Sequence, residues 1–234
     1  MTEPLRIAVI GATGATGRHV VTQAQSRGHH VRAVDTAFPD ETALPRDVER
    51  VEADVLGDDL GPALDGYDVV VSAIGIALSA RNAIAPPPLY RDGTRRILHA
   101  MRSNGQTRLV VISASFVAAR NRGPHWFRIA SGLALGRIFA QMAEMEALLR
   151  GSTEIDWTAV RPGWLMDGTL TTDYVVTPEA IRPDLIRTRH ADLAHFILHC
   201  AETGEWSRDT PAIARPEPRS ASSLDTALRD AVAG

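Results

Sequence analysis

Gly11, Gly14 and Gly17 recur every three residues in the run Arg6-Ile7-Ala8-Val9-Ile10-Gly11-Ala12-Thr13-Gly14-Ala15-Thr16-Gly17-Arg18. An apolar, β-rich run precedes them and a helical pattern follows, the setting in which such glycines receive a dinucleotide. The first glycine permits the tight turn, the second lets backbone approach a pyrophosphate, and the third brings the helix close to the strand. The helix N-terminus adds free N–H groups and about half a positive charge, which suits a diphosphate. Gly11, Thr13, Gly14, Ala15, Thr16 and Gly17 are therefore the candidate cofactor loop, for NAD or NADP.

Selectivity between the two rests on Asp35 and Arg18. Asp35 ends the second apolar run, 18 residues after Gly17, where a carboxylate accepts hydrogen bonds from an adenosine ribose and repels a 2′-phosphate. Arg18 pulls the other way, because a guanidinium beside the loop could pair with that phosphate. Asp35 tips the balance toward NAD. Asp54 and Val55, after the third apolar run, are expected beside the adenine. Ala73, Ile74 and Gly75, after the fourth, supply small residues along the cofactor's path, and Pro162 follows the sixth.

At the expected reacting end, Ser113 and Ser115 are the candidate proton donors, although strand-end hydroxyls equally serve backbone groups. Tyr90 and Trp164 are the candidate substrate-pocket aromatics, able to lean over or stack on a flat molecule or simply to pack. Arg81 could meet an anionic substrate group or stay in solvent. The eight histidines show no metal-ligand spacing, and solvated or capping roles are expected for His29, His30, His190 and His195; no metal is expected. All 25 basic residues are arginine, which excludes any mechanism that needs a lysine amine. Cys200, the one cysteine, lies in an apolar helical run and reads as a small buried residue.

The elements that must hold these groups alternate along the chain. Strands are expected at 6–10, 31–34, 49–53, 68–72, 109–113 and 157–160, the last stopped by Arg161-Pro162-Gly163. Helices are expected at 16–27, 60–64, 90–102 and 136–150, with the long loop 75–88 before the third of them. This predicts an α/β fold, a doubly wound Rossmann-type parallel sheet with helices on both faces. A smaller substrate-side portion follows from about residue 163, with a strand at 174–177, a helix at 191–201 and a strand at 210–214. Residues 1–214 are expected to form one domain, and 215–234 a partly disordered tail.

Apolar content of 44%, charged content of 23% and a net charge of −3 are ordinary for a globular protein and give no reason to expect nucleic acid. No apolar run approaches the roughly 20 residues of a membrane span, and the chain enters a strand too early for a signal peptide. A cytoplasmic protein with a small-molecule substrate is expected.

Several further segments occur in one order with the glycine loop: Ala53-Asp54-Val55, Val71-Ser72-Ala73-Ile74-Gly75, Asp92-Gly93-Thr94-Arg95, Val110 to Phe116, and Trp157 to Leu165. Together with Asp192-Leu193 and His195-Phe196, they resemble the atypical short-chain dehydrogenase/reductases over about residues 5–215. The closest resemblance is to the NAD(P)H-binding group that contains biliverdin reductase B (flavin reductase) and the NmrA-like proteins. Departures from that group are informative. Asp35-Thr36 stands where the group usually carries an arginine for the NADP 2′-phosphate, Ala114 where it carries a serine, and Trp164 where it carries a histidine. The tyrosine and lysine of the main branch of the superfamily fall on Ile138 and Met142.

The resemblance implies an NAD(P)-dependent oxidoreductase that lacks the Tyr-x-x-x-Lys pair and acts on a small flat or carbonyl-bearing molecule. Flavin or biliverdin reduction can draw its proton from solvent, so no protein acid is required. The alternative is a non-catalytic NAD(P)-binding sensor of the NmrA-like type.

Overall fold

The computed structural model describes residues 3–39, 44–76, 82, 85–118 and 125–218, with backbone alone over 125–134. Arg81 and the tail beyond 218 lie outside the described residues. Among the described residues there are ten strands: β1 (Arg6–Ile10), β2 (His30–Asp35), β3 (Glu49–Glu52), β4 (Val69–Ser72), β5 (Arg108–Ile112), β6 (Asp156–Pro162), β7 (Trp164–Met166), β8 (Val175–Pro178), β9 (Arg187–Arg189) and β10 (Pro211–Ala214). The helices are α1 (Gly17–Ser26), α2 (Gly61–Leu64), α3 (Thr94–Asn104), α4 (Ser115–Ala118), α5 (His125–Arg150) and α6 (His190–Thr203), with a π-helical turn at Leu89–Gly93.

Eight strands form one sheet in the order β3-β2-β1-β4-β5-β6-β10-β8, parallel except for the antiparallel edge strand β8. The chain steps outward from β1 to β3, then returns to the far side of β1 to lay down β4 and β5. That reversal opens a crevice at the carboxyl ends of β1 and β4, where open α/β sheets bind ligands.

Alternation within the strands builds a core on each face. Ile7 and Val9 of β1, Val69 and Val71 of β4, and Val110 of β5 pack with Val20, Val21 and Ala24 of α1 and with Leu193, Phe196 and Ile197 of α6. Ala8, Ile10, Val70, Leu109 and Val111 turn the other way, onto Ile97 and Met101 of α3 and Met145 and Leu149 of α5. Burying an aliphatic side chain such as Ile7 contributes about 1.5–3 kcal/mol, so these central strands anchor the fold.

Some boundaries differ from the sequence expectation. Strand β6 continues through Pro162 instead of stopping at Val160. Its neighbour β5 ends opposite Val160, so the missing N–H of Pro162 faces no ladder partner there. Tyr90 lies in the π-helical turn and not in the first turn of α3. Helix α5 begins at His125, eleven residues before Gly136. The two-stranded parallel sheet of β7 and β9 was not foreseen, because three-residue strands are too short to carry a periodic signal.

Candidate functional site

The glycine loop joins β1 to α1 under tight steric control. Gly11 has φ +78°, and a Cβ there would lie 2.9 Å from the Ala73 backbone that follows β4. A Cβ on Gly17 would lie 2.0 Å from the Gly11 carbonyl oxygen, so only glycine lets α1 start so close to β1. A Cβ on Gly14 would stand 3.3 Å from that oxygen, a far milder contact within the protein itself.

A cleft of about 560 Å³ follows the carboxyl ends of the strands, inside the roughly 300–1,000 Å³ range of ligand pockets. The strand order lays out its sections. Asp35 and Thr36 after β2, with Asp54 and Val55 after β3, line one end. Gly11 and Thr13 to Thr16 line the middle, facing Ala73, Ile74 and Gly75 after β4. Ser113 and Ala114 after β5, and Pro162 to Leu165 after β6, line the other end together with Tyr90, Ile138, Phe139 and Met142. The cleft thus brings together Gly11, Thr13, Gly14, Ala15, Thr16, Asp35, Asp54, Val55, Ala73, Ile74, Gly75, Tyr90, Ser113, Pro162 and Trp164. Gly17, Arg18 and Ser115 do not line it. The loop is a cradle that side chains would fill, and α1 begins at its edge; these residues fit the pyrophosphate of a dinucleotide.

Asp35 is engaged before any ligand arrives. Its Oδ2 accepts hydrogen bonds from the Thr13 N–H at 2.9 Å and the Thr13 hydroxyl at 2.8 Å, and its Oδ1 accepts from the Thr36 N–H at 2.8 Å. A carboxylate has about four acceptor positions, so one remains for a ribose hydroxyl. Arg18 is 44% exposed at its side chain and approaches Asp167 at 3.9 Å, in the segment after β7. Asp54 Oδ1 accepts from the Leu56 N–H at 2.8 Å and shapes the turn after β3.

At the other end the groups are buried. Ser113 is 1% exposed and donates its hydroxyl to Glu146 Oε1 at 2.8 Å. Glu146, on α5, also accepts from Arg161 Nε at 2.8 Å and Nη2 at 2.6 Å, and from Arg150 at 3.0 Å. Ser115 donates to the Arg161 carbonyl at 2.8 Å, so its hydroxyl serves the start of α4. The Tyr90 hydroxyl oxygen accepts from the Ile76 N–H at 3.4 Å, and burial pushes its pKa up to about 12. Trp164 is half-buried beside the cleft, its backbone N–H donating to the Ile186 carbonyl at 2.7 Å.

Two residues gained a place that the sequence did not give them. His190, the first residue of α6, lines the cleft and shares a 2.8 Å hydrogen bond with the Thr16 hydroxyl in the glycine loop. Its partner lies 174 residues away, so no local pattern announces the contact. Glu146 reads as one of several polar residues on α5, yet it is 1% exposed and sits behind Ser113. A buried carboxylate needs charged partners, and the Arg161 ahead of Pro162 was the available signal. Ile138 and Met142 both line the cleft, so apolar groups occupy the places of the tyrosine and lysine. Among the described residues, no cluster of three His, Cys, Asp or Glu could hold a metal ion.

The fold recurs in known proteins, and a family model matches most of the chain. An uncharacterized chloroplastic protein of Arabidopsis thaliana is 29% identical over 189 residues, covering 74% of this chain and 64% of that protein. The chain thus spans less than two thirds of the length of that relative. A candidate NADH-flavin reductase of Streptococcus pneumoniae has the same fold, with a TM-score of 0.72 at 20% identity, covering 91% of this chain and 100% of that one. So has a short-chain dehydrogenase/reductase of Veillonella parvula in complex with NADP, with a TM-score of 0.73 at 16% identity and coverage of 91% and 95%. These folds accord with the atypical short-chain dehydrogenase/reductases that the sequence resembles. The model of the NAD(P)H-binding family matches residues 11–203, and the chain belongs to that family.

Proposed function

We propose that this protein is a reductase that uses NADH in preference to NADPH and passes hydride to a small flat or carbonyl-bearing molecule. One observation carries the reading. One cleft is lined both by the glycine loop and by an apolar group of Ile76, Leu89, Phe139, Met142, Tyr90 and Trp164, together with Ser113. The bound nicotinamide supplies the hydride, and the protein orients it and excludes competing water. The glycine loop and the α1 N-terminus hold the pyrophosphate, and Asp35 offers its remaining acceptor position to the ribose. Tyr90 and Trp164 flank the acceptor, and Ser113 is the hydroxyl at the reacting end. Ser115, tied to the Arg161 carbonyl, is not assigned a part in this scheme. The proton comes from water, so the balance is reduced cofactor plus proton plus acceptor, giving oxidised cofactor and reduced acceptor.

The names of the relatives from S. pneumoniae and V. parvula support a redox reading, and the S. pneumoniae name supports a flat acceptor. Preference for NADH rests on the Asp35 carboxylate lining the cleft while Arg18 lies outside it. The second reading, a non-catalytic sensor of the dinucleotide, draws on Ile138 and Met142 in place of the proton-donating pair. A cytoplasmic setting belongs to the proposal too; no described helix is long and apolar enough to cross a membrane.

Oxidation of NADH and NADPH, measured against flavins, quinones and dicarbonyls, separates the readings. Turnover with at least one flat acceptor is expected; tight cofactor binding with no turnover on any of them favours the sensor. Calorimetric titration is expected to give tighter NADH binding. Asp35→Asn keeps an acceptor for Thr13 but removes the charge, and should shift the balance toward NADPH by about tenfold or more. Tighter NADPH binding by the unmodified protein would overturn the assignment.

A further inference from the structure

The arrangement behind Ser113 restricts what its hydroxyl can offer a substrate. A serine carries one hydrogen, and here that hydrogen is given to Glu146 Oε1 at 2.8 Å. Glu146 is held by Arg161 Nε at 2.8 Å and Nη2 at 2.6 Å, and by Arg150 at 3.0 Å, so donors face both of its oxygens. Arg161 is itself fixed from β6, and its Nη1 donates to the Glu179 carbonyl at 2.7 Å. Neither Glu146 nor Arg161 lines the cleft, whereas Ser113 does. A ligand group that meets the Ser113 hydroxyl from the cleft therefore finds only oxygen lone pairs.

Resting on the reductase reading above, we propose that Glu146 is a positioning residue that makes Ser113 a pure hydrogen-bond acceptor. The site thereby selects acceptor molecules bearing an N–H or O–H group near the reducible carbon, such as lactams and cyclic imides. A plain ketone or an N-alkylated analogue presents only oxygen to an oxygen and leaves Ser113 unpaired. A site built around a buried polar group discriminates against the analogue that lacks its partner more strongly than an apolar wall can. The apolar group supplies area for any flat ring, and Ser113 supplies the choice among them.

The test uses isatin and N-methylisatin, flat dicarbonyls that differ only in the N–H. The expected kcat/KM with NADH favours isatin by about tenfold, the loss that follows when a buried acceptor goes unpaired. In Ser113→Ala, isatin should fall to the level of N-methylisatin. If the methyl group is instead excluded by size, N-methylisatin will rise to the level of isatin, and the proposal is overturned. Glu146→Gln lets the new amide donate to Ser113, freeing the hydroxyl hydrogen for the cleft, so the preference should shrink or reverse. A Glu146 that merely supports the fold would lower both rates alike and leave the ratio unchanged, which also refutes the positioning role. If Glu146→Gln does not fold, the Ser113→Ala ratio decides. Should neither compound be reduced, calorimetric binding of the pair to the NADH complex replaces rates; equal binding, a preference for N-methylisatin or no binding of either overturns the proposal. NADH titration alone reports separately whether the cofactor reading stands.

Discussion

A carbon added to Gly17 would lie 2.0 Å from the Gly11 carbonyl oxygen, while one added to Gly14 would lie 3.3 Å from the same atom. The two substitutions should therefore fail differently. Gly17→Ala forces α1 away from β1 and is expected to cost about 1–3 kcal/mol in urea unfolding, with cofactor binding lost as a consequence. Gly14→Ala should unfold within about 1 kcal/mol of the unmodified protein yet bind NADH far more weakly, because it fills space that the proposed function gives to the pyrophosphate. Equal NADH affinity in a stable Gly14→Ala protein would remove the pyrophosphate from this loop. The motif itself was legible in the sequence, since its spacing and its strand–helix setting are local. What remained hidden were partners met only through folding: His190 for Thr16, and Glu146 for Ser113.

Between elements, the joint that matters most is α6 against the segment after β7. Asp192, fully buried, accepts from the Thr171 N–H and hydroxyl at 2.8 Å each and from the Thr172 N–H at 3.1 Å. Thr172 sits at φ 60°, a conformation that a β-branched residue adopts only under constraint. Asp192→Ala removes three charge-assisted bonds at once and is expected to destabilise by about 2–4 kcal/mol, read from denaturant midpoints. It should also loosen the segment that carries Asp167 toward Arg18, with protease cleavage near residue 172 as a second readout. A loss below about 0.5 kcal/mol would show that other contacts hold this segment. The long central strands were legible because their apolar runs have a period. Short elements such as β7 and β9 rest on pairings across the fold, among them those of the Gly163 and Trp164 backbone N–H groups, which no local pattern records.

At the scale of the molecule, protonation couples to stability through a few half-buried groups. Burial holds His195 below the usual histidine value of 6.5, with the Arg27 charge adding to it; burial likewise lowers His19, helped by Arg18. In both cases the native state binds fewer protons than the unfolded chain, so stability is full above about pH 6.5 and is lost as pH falls below it. Burial would raise Glu202, but its hydrogen bonds to His29 and Arg27 outweigh that and keep it ionised below the ordinary carboxylate range. The decline below about pH 6.5 is therefore assigned to the histidines. Melting temperature should be level from about pH 8 to 7 and fall below about pH 6.5, and His195→Gln should flatten the fall. An unchanged slope in the His19→Asn, His195→Gln double variant would overturn the assignment.

Cys200 offers a timepiece. The chain has this one cysteine, set in α6 with no exposed surface, and burial pushes its thiol up to about 12. A thiol reagent meets thiolate only when α6 swings off the sheet, so the rate of labelling counts the openings of that helix. The first residue of α6 reaches into the glycine loop through Thr16. A dinucleotide that settles into the loop should hold the helix shut and slow the clock, making one sulfur atom near the far end of α6 a gauge of occupancy at its first turn.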